Sequence, residues 1–234
     1  MIRTALRIIM GIGAACLLSA QTEEGLLAYW SFDEAEGQTA KDAGPWKMAG
    51  AVKNAVRVEG KKGSALKFNG KDAVVDMGNK EPLNVISDLT IEFWMKASAA
   101  GNDGNPYSGV ITKFEPVAPN GEGYDIIVHK DGQLRACVRG PGRIDTGPRG
   151  AKVLDGAWHH IVVTATKLSV SLYIDGALSG GTATGSWESS PSKMPFLIGA
   201  RSGVANFNGL LDEVRLYSRA LTADEVKARY NAAK

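Results

Sequence analysis

Asp212 is the residue in this sequence whose position most strongly suggests chemistry. It lies in a run from Gly209 to Leu221 that reads as a β-strand followed by a turn. Because side chains alternate between the two faces of a strand, Asp212 is expected to share a face with Leu210, Val214 and Leu216. A carboxylate among apolar neighbours needs hydrogen bonds, a cation or access to water. We therefore predict a site at Asp212, where either a metal ion or backbone amides and hydroxyls stabilise the charge.

No pair of carboxylates in the sequence has the spacing that glycoside hydrolysis requires. Such a pair needs two acids on one face, about 5–10 Å apart across the scissile bond. Asp212 and Glu213 are adjacent and therefore point to opposite faces, and Glu92 is the one carboxylate in the strand run from Leu89 to Lys96. These patterns favour a protein without hydrolytic activity.

The three histidines offer no catalytic or metal-binding pattern either. His159 and His160 are adjacent, so a strand would direct them to opposite faces, and His129 stands at the end of another strand run. We expect each to serve in packing or hydrogen bonding rather than in acid–base catalysis.

Three aromatic residues lie in predicted loops and could stack on the apolar faces of sugar rings. Trp187, in a polar Ser/Gly/Thr loop, is the first candidate, and Trp46 and Tyr107 are the others. The alternative is that each ring anchors its loop to the body of the protein. The three remaining tryptophans are predicted to be core residues because they lie inside strong strand runs, namely Trp30, Trp94 and Trp158.

The elements that would position these residues are short strands separated by turns rich in Gly and Pro, at a spacing typical of a β-sandwich or barrel. Asp131-Gly132 and Asp175-Gly176 have the composition of two-residue hairpin turns, and the first is expected to need a positive φ at both residues. Val52–Val58 is one of the predicted strand runs, and Gly140–Gly150 and Gly180–Lys193 are predicted loops. Thr222 and Glu225 form a capping box, which predicts one short C-terminal helix.

Residues 1–20 have the features of a secretory signal peptide: a basic start, a short apolar stretch and small residues at the exit. The apolar stretch is short for a membrane span, so an uncleaved anchor is the less favoured alternative, as is a lipoprotein attached through Cys16. Residues 21–234 would then form one domain in a secreted, periplasmic or extracellular protein, with no membrane span. Cys137 would be its one cysteine, which excludes an intrachain disulfide and favours a buried thiol.

The charge balance gives no reason to expect a nucleic acid or an anionic membrane as partner. The 27 basic residues include Arg3 and Arg7, so the chain from residue 21 carries 25 basic and 25 acidic residues. Binding to polyanions of that kind normally needs a basic surface.

An ordered set of short motifs resembles the laminin-G-like jellyroll family within the concanavalin A-like lectin/glucanase superfamily. The set covers essentially all of the chain after residue 20 and consists of Gly25–Asp33, Gly63–Gly70, Leu89–Met95, Trp158–Val162, Tyr173–Gly176, Ile198-Gly199 and Gly209–Leu221. The resemblance implies an all-β fold in which two antiparallel sheets form a jellyroll sandwich and the first and last strands lie close together.

The resemblance also implies a calcium ion near those terminal strands. Its ligands would be Asp212, an aspartate in the loop after the first strand, here Asp42, and backbone carbonyls near Asp33. Calcium takes six to eight oxygen ligands, so carboxylates, carbonyls and water would suit it. The loop departs from the family pattern at Pro45, and the alternative of amide hydrogen bonds to Asp212 stays open.

The enzyme motifs of the same superfamily are absent. The glucanases carry a Glu-x-Asp-x-x-Glu strand and the polysaccharide lyases an Arg-rich strand with a Gln-x-His strand, and neither pattern matches this sequence. The expected function is therefore a secreted, calcium-stabilised module that binds a polysaccharide or another glycan. The alternatives are an adhesion module that binds a cell-surface or extracellular protein and, third, a glycan hydrolase or lyase without a recognised motif.

Overall fold

The computed structural model describes residues 24–99, 105–116, 121–187, 191–201 and 206–234, and the predicted signal peptide lies outside these ranges. Within them the chain forms seventeen β-strands and one α-helix. The strands pair into two antiparallel sheets, an eight-stranded sheet I and a nine-stranded sheet II. The prediction of a two-sheet antiparallel jellyroll with a C-terminal helix is confirmed.

Sheet I contains both the first and the last strand of the described chain. Its strands are β1 (Leu26–Trp30), β4 (Val56–Glu59), β5 (Ser64–Asn69), β7 (Leu89–Lys96), β13 (Trp158–Thr166), β14 (Ser169–Ile174), β15 (Ala177–Thr184) and β17 (Asn208–Tyr217). They lie in the order β15-β14-β13-β7-β17-β5-β4, and β1 pairs with β17 beyond the end of β5. The terminal strands are therefore neighbours, as the resemblance implies.

Sheet II packs against sheet I and is built from the middle of the chain. Its strands are β2 (Thr39–Ala40), β3 (Gly50–Lys53), β6 (Val74–Asp76), β8 (Tyr107–Glu115), β9 (Glu122–His129), β10 (Gln133–Arg139), β11 (Arg143–Asp145), β12 (Arg149–Lys152) and β16 (Leu197–Ile198). They lie in the order β11-β10-β9-β8-β16-β6-β3-β2, and β12 also pairs with β10. The inner faces of the two sheets meet in one apolar core, to which Trp30, Phe68, Phe93, Val75, Ile126, Val138 and Ile198 contribute.

A β-bulge in β17 reverses the faces that alternation alone predicts. Asp212 pairs with Trp94 and Arg215 with Glu92, so β17 contains one residue more than β7 between these pairs. Glu213, inside the bulge, has φ +54°. Leu211, an odd-numbered residue, faces the core before the bulge. After the bulge the even-numbered residues Val214 and Leu216 face it. The prediction that Asp212 shares a face with Val214 and Leu216 is therefore wrong, and Asp212 lies on the outer face of sheet I.

Two strand assignments from the sequence also need correction. The predicted run Val52–Val58 is two strands, because Asn54 has φ +57° and the chain passes there from β3 in sheet II to β4 in sheet I. The predicted loops Gly140–Gly150 and Gly180–Lys193 contain β11, the first residues of β12 and the second half of β15. Among the two hairpin turns, Asp175-Gly176 has a positive φ at both residues, whereas at Asp131-Gly132 this holds for Gly132 alone.

The C-terminal helix, α1 (Ala223–Ala232), begins as predicted. The Thr222 hydroxyl accepts a hydrogen bond from the Glu225 amide at 3.2 Å, and the Glu225 carboxylate accepts one from the Thr222 amide at 2.7 Å. Val226 packs with Val162 and Tyr217 on the outer face of sheet I. The helix therefore covers part of this face.

Candidate functional site

The Asp212 carboxylate is fully buried, and only one of its two oxygens accepts hydrogen bonds. Its Oδ2 accepts hydrogen bonds from the backbone amides of Lys61 (2.8 Å) and Lys62 (3.0 Å), in the turn between β4 and β5. Its Oδ1 accepts no hydrogen bond from the described residues. Burial raises the pKa of Asp212 to about 7, against the lowering effect of the two amides. The expectation that this carboxylate is buried and needs a partner agrees with the geometry.

The other two predicted calcium ligands are held by backbone amides. Asp42 is buried and accepts hydrogen bonds from Tyr29 (2.8 Å) and Gly44 (2.6 Å) at Oδ1 and from Met48 (2.7 Å) at Oδ2. Asp33 is exposed, and its Oδ1 accepts a hydrogen bond from the Ser64 amide at 2.8 Å. Asp42 thus fixes its own loop, and Asp33 ties the chain after β1 to the start of β5.

Among the described residues the three aspartates are not grouped as the carboxylate ligands of one ion, which leaves Asp212 as the candidate ligand. No group of three His, Cys, Asp or Glu side chains in the described ranges is arranged to hold a metal ion. Asp42 already uses both oxygens, and Asp212 alone has a buried oxygen without a donor. The alternative left open by the sequence, amide hydrogen bonds to Asp212, is present, and calcium binding stays a prediction.

The candidate stacking residues differ sharply in exposure. Trp187 is only 1% exposed, and its Nε1 donates to the Thr166 carbonyl at 2.8 Å. The prediction that Trp187 presents its ring to a ligand is therefore wrong, and the anchoring alternative holds. Trp46 is 59% exposed, on the loop that Asp42 fixes, so it is not an anchor. Tyr107 is half-buried and begins strand β8 instead of lying in a loop.

Of the three tryptophans predicted as core residues, Trp30 lies in the core between the sheets. Trp94 is almost fully buried, but on the outer face of sheet I, where its ring contacts His160 and Tyr230, and Trp158 is half-buried at the start of β13. Cys137 is buried as expected, and burial raises the pKa of its thiol to about 12.

A buried polar cluster joins α1 to the outer face of sheet I. Glu92 lies at its centre, with Oε1 2.9 Å from His160 Nε2 and Oε2 2.7 Å from Arg229 Nε on the helix. Burial opposes the ionisation of Glu92, but the His160 hydrogen bond and the Arg229 charge outweigh it and lower the pKa to about 2. His159 contacts a different carboxylate, Asp175, at 2.8 Å. The cluster holds the helix in place, and His160 Nδ1 has no hydrogen-bond partner among the described residues.

The outer face of sheet II is the second exterior surface of the sandwich. Residues 200 and 201 lie against it, because the Thr112 hydroxyl donates to the Ala200 carbonyl at 2.9 Å and Arg201 contacts Asp125. Strand β10 presents Arg135, Cys137 and Arg139 on this face, because the alternate residues Leu134, Ala136 and Val138 are in the core. Cys137 pairs with Asp125 on one side and with Asp145 on the other. The face therefore combines arginines with two aspartates.

Asp145 is held as a counter-ion by two of these arginines. Arg135 Nε donates to Asp145 Oδ1 at 2.7 Å, and Arg143 also forms an ion pair with this carboxylate. Burial opposes ionisation, yet these hydrogen bonds and one from the Gly147 amide hold the pKa of Asp145 well below its usual range. Arg135 also lies over the Tyr107 ring, with 5.6 Å from Cζ to the centroid, and the Tyr107 and His129 rings are 4.9 Å apart.

Asp125 lies between two further arginines on the same face. Its Oδ1 is 2.9 Å from Arg139 Nη1 and its Oδ2 is 3.2 Å from Arg201 Nε. Neither contact has hydrogen-bond geometry, so all four atoms are buried without a hydrogen-bond partner among the described residues. Both guanidiniums lie over the ring of Phe114, with Cζ 4.4 Å and 4.6 Å from its centroid.

This arginine-rich face was not found by reasoning from the sequence, although one signal was present. The run Arg-Ala-Cys-Val-Arg places Arg135 and Arg139 four residues apart, which is on one face of a strand. Arg201 and Asp125 could not be connected to it, because strand order and loop position bring them together.

The geometry defines a jellyroll sandwich in which helix α1 covers part of the outer face of sheet I. The family model for the concanavalin A-like lectin/glucanase superfamily named Laminin_G_3 matches residues 69–227, which is more than half of the chain. The protein therefore belongs to this laminin-G-like family, and the resemblance is confirmed. No helix among the described residues is long and apolar enough to cross a membrane.

This chain matches only part of the length of each similar protein. The mouse (Mus musculus) protein "Sushi, von Willebrand factor type A, EGF and pentraxin domain-containing protein 1" is 27% identical over 156 residues, 62% of this chain and 4% of that protein. The binding domain of Paraclostridial Mosquitocidal Protein 1 has a TM-score of 0.68 at 21% identity, covering 91% of this chain and 53% of that one. Trypanosoma rangeli sialidase in complex with sialic acid has a TM-score of 0.66 at 18% identity. The match covers 94% of this chain and 39% of the sialidase chain. The two structural likenesses show the fold alone.

The Glu92 cluster makes a prediction about stability in acid. Because the pKa of Glu92 is about 2 in the folded state and near 4.5 when unfolded, its stabilisation is complete above pH 4.5 and is lost as the pH falls towards 2. Glu92→Gln is expected to cost about 3 kcal/mol at pH 7, since His160 and Arg229 lose a buried counter-charge. Urea unfolding between pH 2 and pH 7 measures both effects.

The matched control is Glu36→Gln, which neutralises an exposed acid and should change stability little. In Glu92→Gln the stability should fall less steeply below pH 4.5 than in the parent. An unchanged pH profile together with full stability at pH 7 would contradict the assigned role of Glu92.

Proposed function

We propose that this protein is a secreted, non-catalytic recognition domain that binds a carbohydrate on the outer face of sheet II. The observation that carries the proposal is the contrast between the two exterior faces. Helix α1 covers the centre of sheet I, whereas sheet II presents partly exposed aromatic rings beside fixed hydrogen-bond donors. The features of residues 1–20 support secretion.

The residues at the start of β8 and the end of β9 have the chemistry of a sugar-binding surface. Tyr107 and His129 are both half-buried, so one part of each ring packs and another part is accessible. Arg135 is fixed by Asp145 and adds donors beside the Tyr107 ring. Binding sites for small ligands commonly combine apolar surface with a few positioned polar groups, and this arrangement supplies both.

The charges on this face support binding without catalysis. Asp125 and Asp145 flank Cys137, which puts their Cα atoms about 10 Å apart. A hydrolytic pair would need one of them as a proton donor with a raised pKa. Asp145 has a lowered pKa, and Asp125 is buried between two guanidiniums. Neither carboxylate is arranged as a general acid.

The exposed Trp46 favours protein recognition as the second candidate function. The loop that carries it joins β2 to β3 at one edge of sheet II, and the amide hydrogen bonds to Asp42 fix both of its ends. A rigid, exposed tryptophan loses little entropy on binding and is a frequent anchor in protein interfaces. A cell-surface or extracellular protein would be the partner in this case.

A glycan array and three single variants distinguish these candidates. We expect the purified protein to retain specific glycans, and Tyr107→Ala to weaken this binding about tenfold through loss of stacking. Val56→Ala, which removes an exposed side chain from the edge of sheet I, is the matched control and should bind normally. Binding by isothermal titration quantifies each variant.

The result for Trp46→Ala separates the two functions. Carbohydrate binding on sheet II predicts glycan affinity close to that of the parent in this variant. Two results together would favour protein recognition over carbohydrate binding. The glycan array would be blank, and an extracellular protein would bind the parent but not Trp46→Ala. Turnover of any glycan would contradict the absence of catalysis.

Calcium stabilisation is a separate proposal, supported by the family resemblance and by the unpaired Oδ1 of Asp212. If a cation binds there, calcium should raise the melting temperature relative to chelator, and Asp212→Asn should abolish the difference. Glu36→Gln serves as the control and should keep it. Equal melting temperatures of the parent with calcium and with chelator would reject the proposal.

A further inference from the structure

We propose that His159 is a pH-sensitive latch, which holds the crossover between the two sheets (residues 153–157) while its ring is charged and releases it on deprotonation. The crossover leaves β12 in sheet II and enters β13 in sheet I. The latch goes beyond the proposed carbohydrate binding and does not depend on which ligand the protein binds.

Both ring nitrogens of His159 face carboxylates. Nδ1 lies 2.8 Å from Asp175 Oδ2, and Nε2 lies 3.1 Å from Asp155 Oδ1. A neutral imidazole has one N–H group and one acceptor nitrogen, so it can donate to only one of these carboxylates, whereas an imidazolium ring donates to both. The geometry therefore fits the charged ring.

The charged groups that face His159 come from two elements. Asp155 lies on the crossover, and Asp175 lies in the hairpin turn between β14 and β15. Strand β7 places the uncharged Met95 opposite His159, and the neighbouring His160 points to the outer face of sheet I. Burial opposes the charged form, but the hydrogen bonds to Asp175 and Asp155 outweigh it and raise the pKa of His159 above its ordinary value of 6.5.

Deprotonation should release Asp155 and keep Asp175 in place. Asp175 is also fixed independently of the His159 ring, since its Oδ1 accepts a hydrogen bond from a backbone amide of β13 at 2.9 Å. A Cβ atom on Gly176, the next residue of the turn, would lie 2.9 Å from the Tyr230 ring, so helix α1 packs against this turn. Asp155 is the more exposed partner, 55% against 33%, so water can replace its contact at little cost.

The crossover contacts both sheets through backbone hydrogen bonds. The Val153 amide donates at 2.9 Å to the Gly132 carbonyl, in the turn between β9 and β10. The Gly156 amide donates at 2.9 Å to the Ala97 carbonyl, directly after β7. Segments outside the regular ladders open at a lower free energy than core strands, and amide exchange measures this opening. These two amides therefore report whether the latch is closed.

The latch is closed in neutral and acidic solution and opens in alkaline solution. Because the pKa of His159 is higher in the folded protein than in the unfolded chain, its contribution to stability is complete below about pH 6.5 and is lost as the pH rises through the folded pKa. The Glu92 cluster has the opposite dependence, since its contribution is lost in acid. The two effects are therefore separated by pH.

Hydrogen exchange of single backbone amides tests the latch in the full chain. Protection factors, which correct for the faster intrinsic exchange in base, are compared at about pH 6 and about pH 9. We expect the protection of the Gly156 and Val153 amides to fall about tenfold, and that of the Asp175 amide, whose own hydrogen bond lies within sheet I, to change less than about twofold. An NMR titration of the His159 ring should give a pKa above 6.5.

Two variants and a matched control test the residues. His159→Gln is neutral at every pH and should show low protection of Gly156 already at about pH 6, with no further loss at about pH 9. Asp155→Asn removes the carboxylate that the ring releases and should lose the pH dependence too, which keeps the test available if His159→Gln does not fold. Asp131→Asn changes the contact of His129 Nδ1 with Asp131 Oδ1, 2.8 Å in length, and should keep the pH dependence of the parent.

Three results would overturn the latch. The first is constant protection of the Gly156 amide across this pH range in the parent. The second is an equal fall at Gly156 and Asp175, which would indicate loosening of the whole sandwich. The third is a pH dependence that persists in His159→Gln. Because none of these measurements uses a glycan, failure of the latch leaves the proposed function untouched, and a blank glycan array leaves the latch untouched.

Discussion

The hydrogen bonds from the Lys61 and Lys62 amides to the buried Asp212 carboxylate fix the point at which β17 changes its neighbour. Residues 208–211 of β17 pair with β5, and residues 214–217 pair with β1. The bulge lies between these segments, where two strand ends meet and a gap in the ladder would otherwise leave polar groups unpaired. Asp212 fills that gap with an acceptor.

The bulge also determines which residues of β17 meet helix α1. After it, Arg215 and Tyr217 point outward, where they surround Glu92 together with Arg229 from the helix. An outward carboxylate with this many partners gives the helix a specific docking position, and Val226 adds the apolar contact. Helix α1 thereby covers the centre of sheet I.

The all-β class and the C-terminal capping box could be predicted from local periodicity and short motifs. The two-sheet jellyroll and the neighbouring terminal strands were implied by the family resemblance. The bulge could not, since one inserted residue leaves no change in composition and yet reverses every face after it. Asn54 separates two strands of different sheets inside a run that looks continuous. Asp212 is buried as expected, but on the outer face of sheet I and not among the apolar side chains from which its burial was predicted. Trp187 is buried with a hydrogen bond to a carbonyl distant in sequence, that of Thr166. Local sequence patterns predict the strands and the helix, whereas the positions of the candidate site residues depend on contacts between residues distant in sequence.

Four arginines and two aspartates lie on the outer face of sheet II. Guanidinium groups gathered on one surface repel one another, and the two aspartates offset half of the four charges. Replacing a buried ion pair with apolar residues of similar size is often neutral or stabilising, so the Asp125 pairs are weak evidence for a role in stability. Asp125 lies 2.9 Å from Arg139 Nη1 and 3.2 Å from Arg201 Nε without hydrogen-bond geometry. The position of both guanidiniums is therefore set by charge pairing with Asp125 together with cation–π contacts to Phe114.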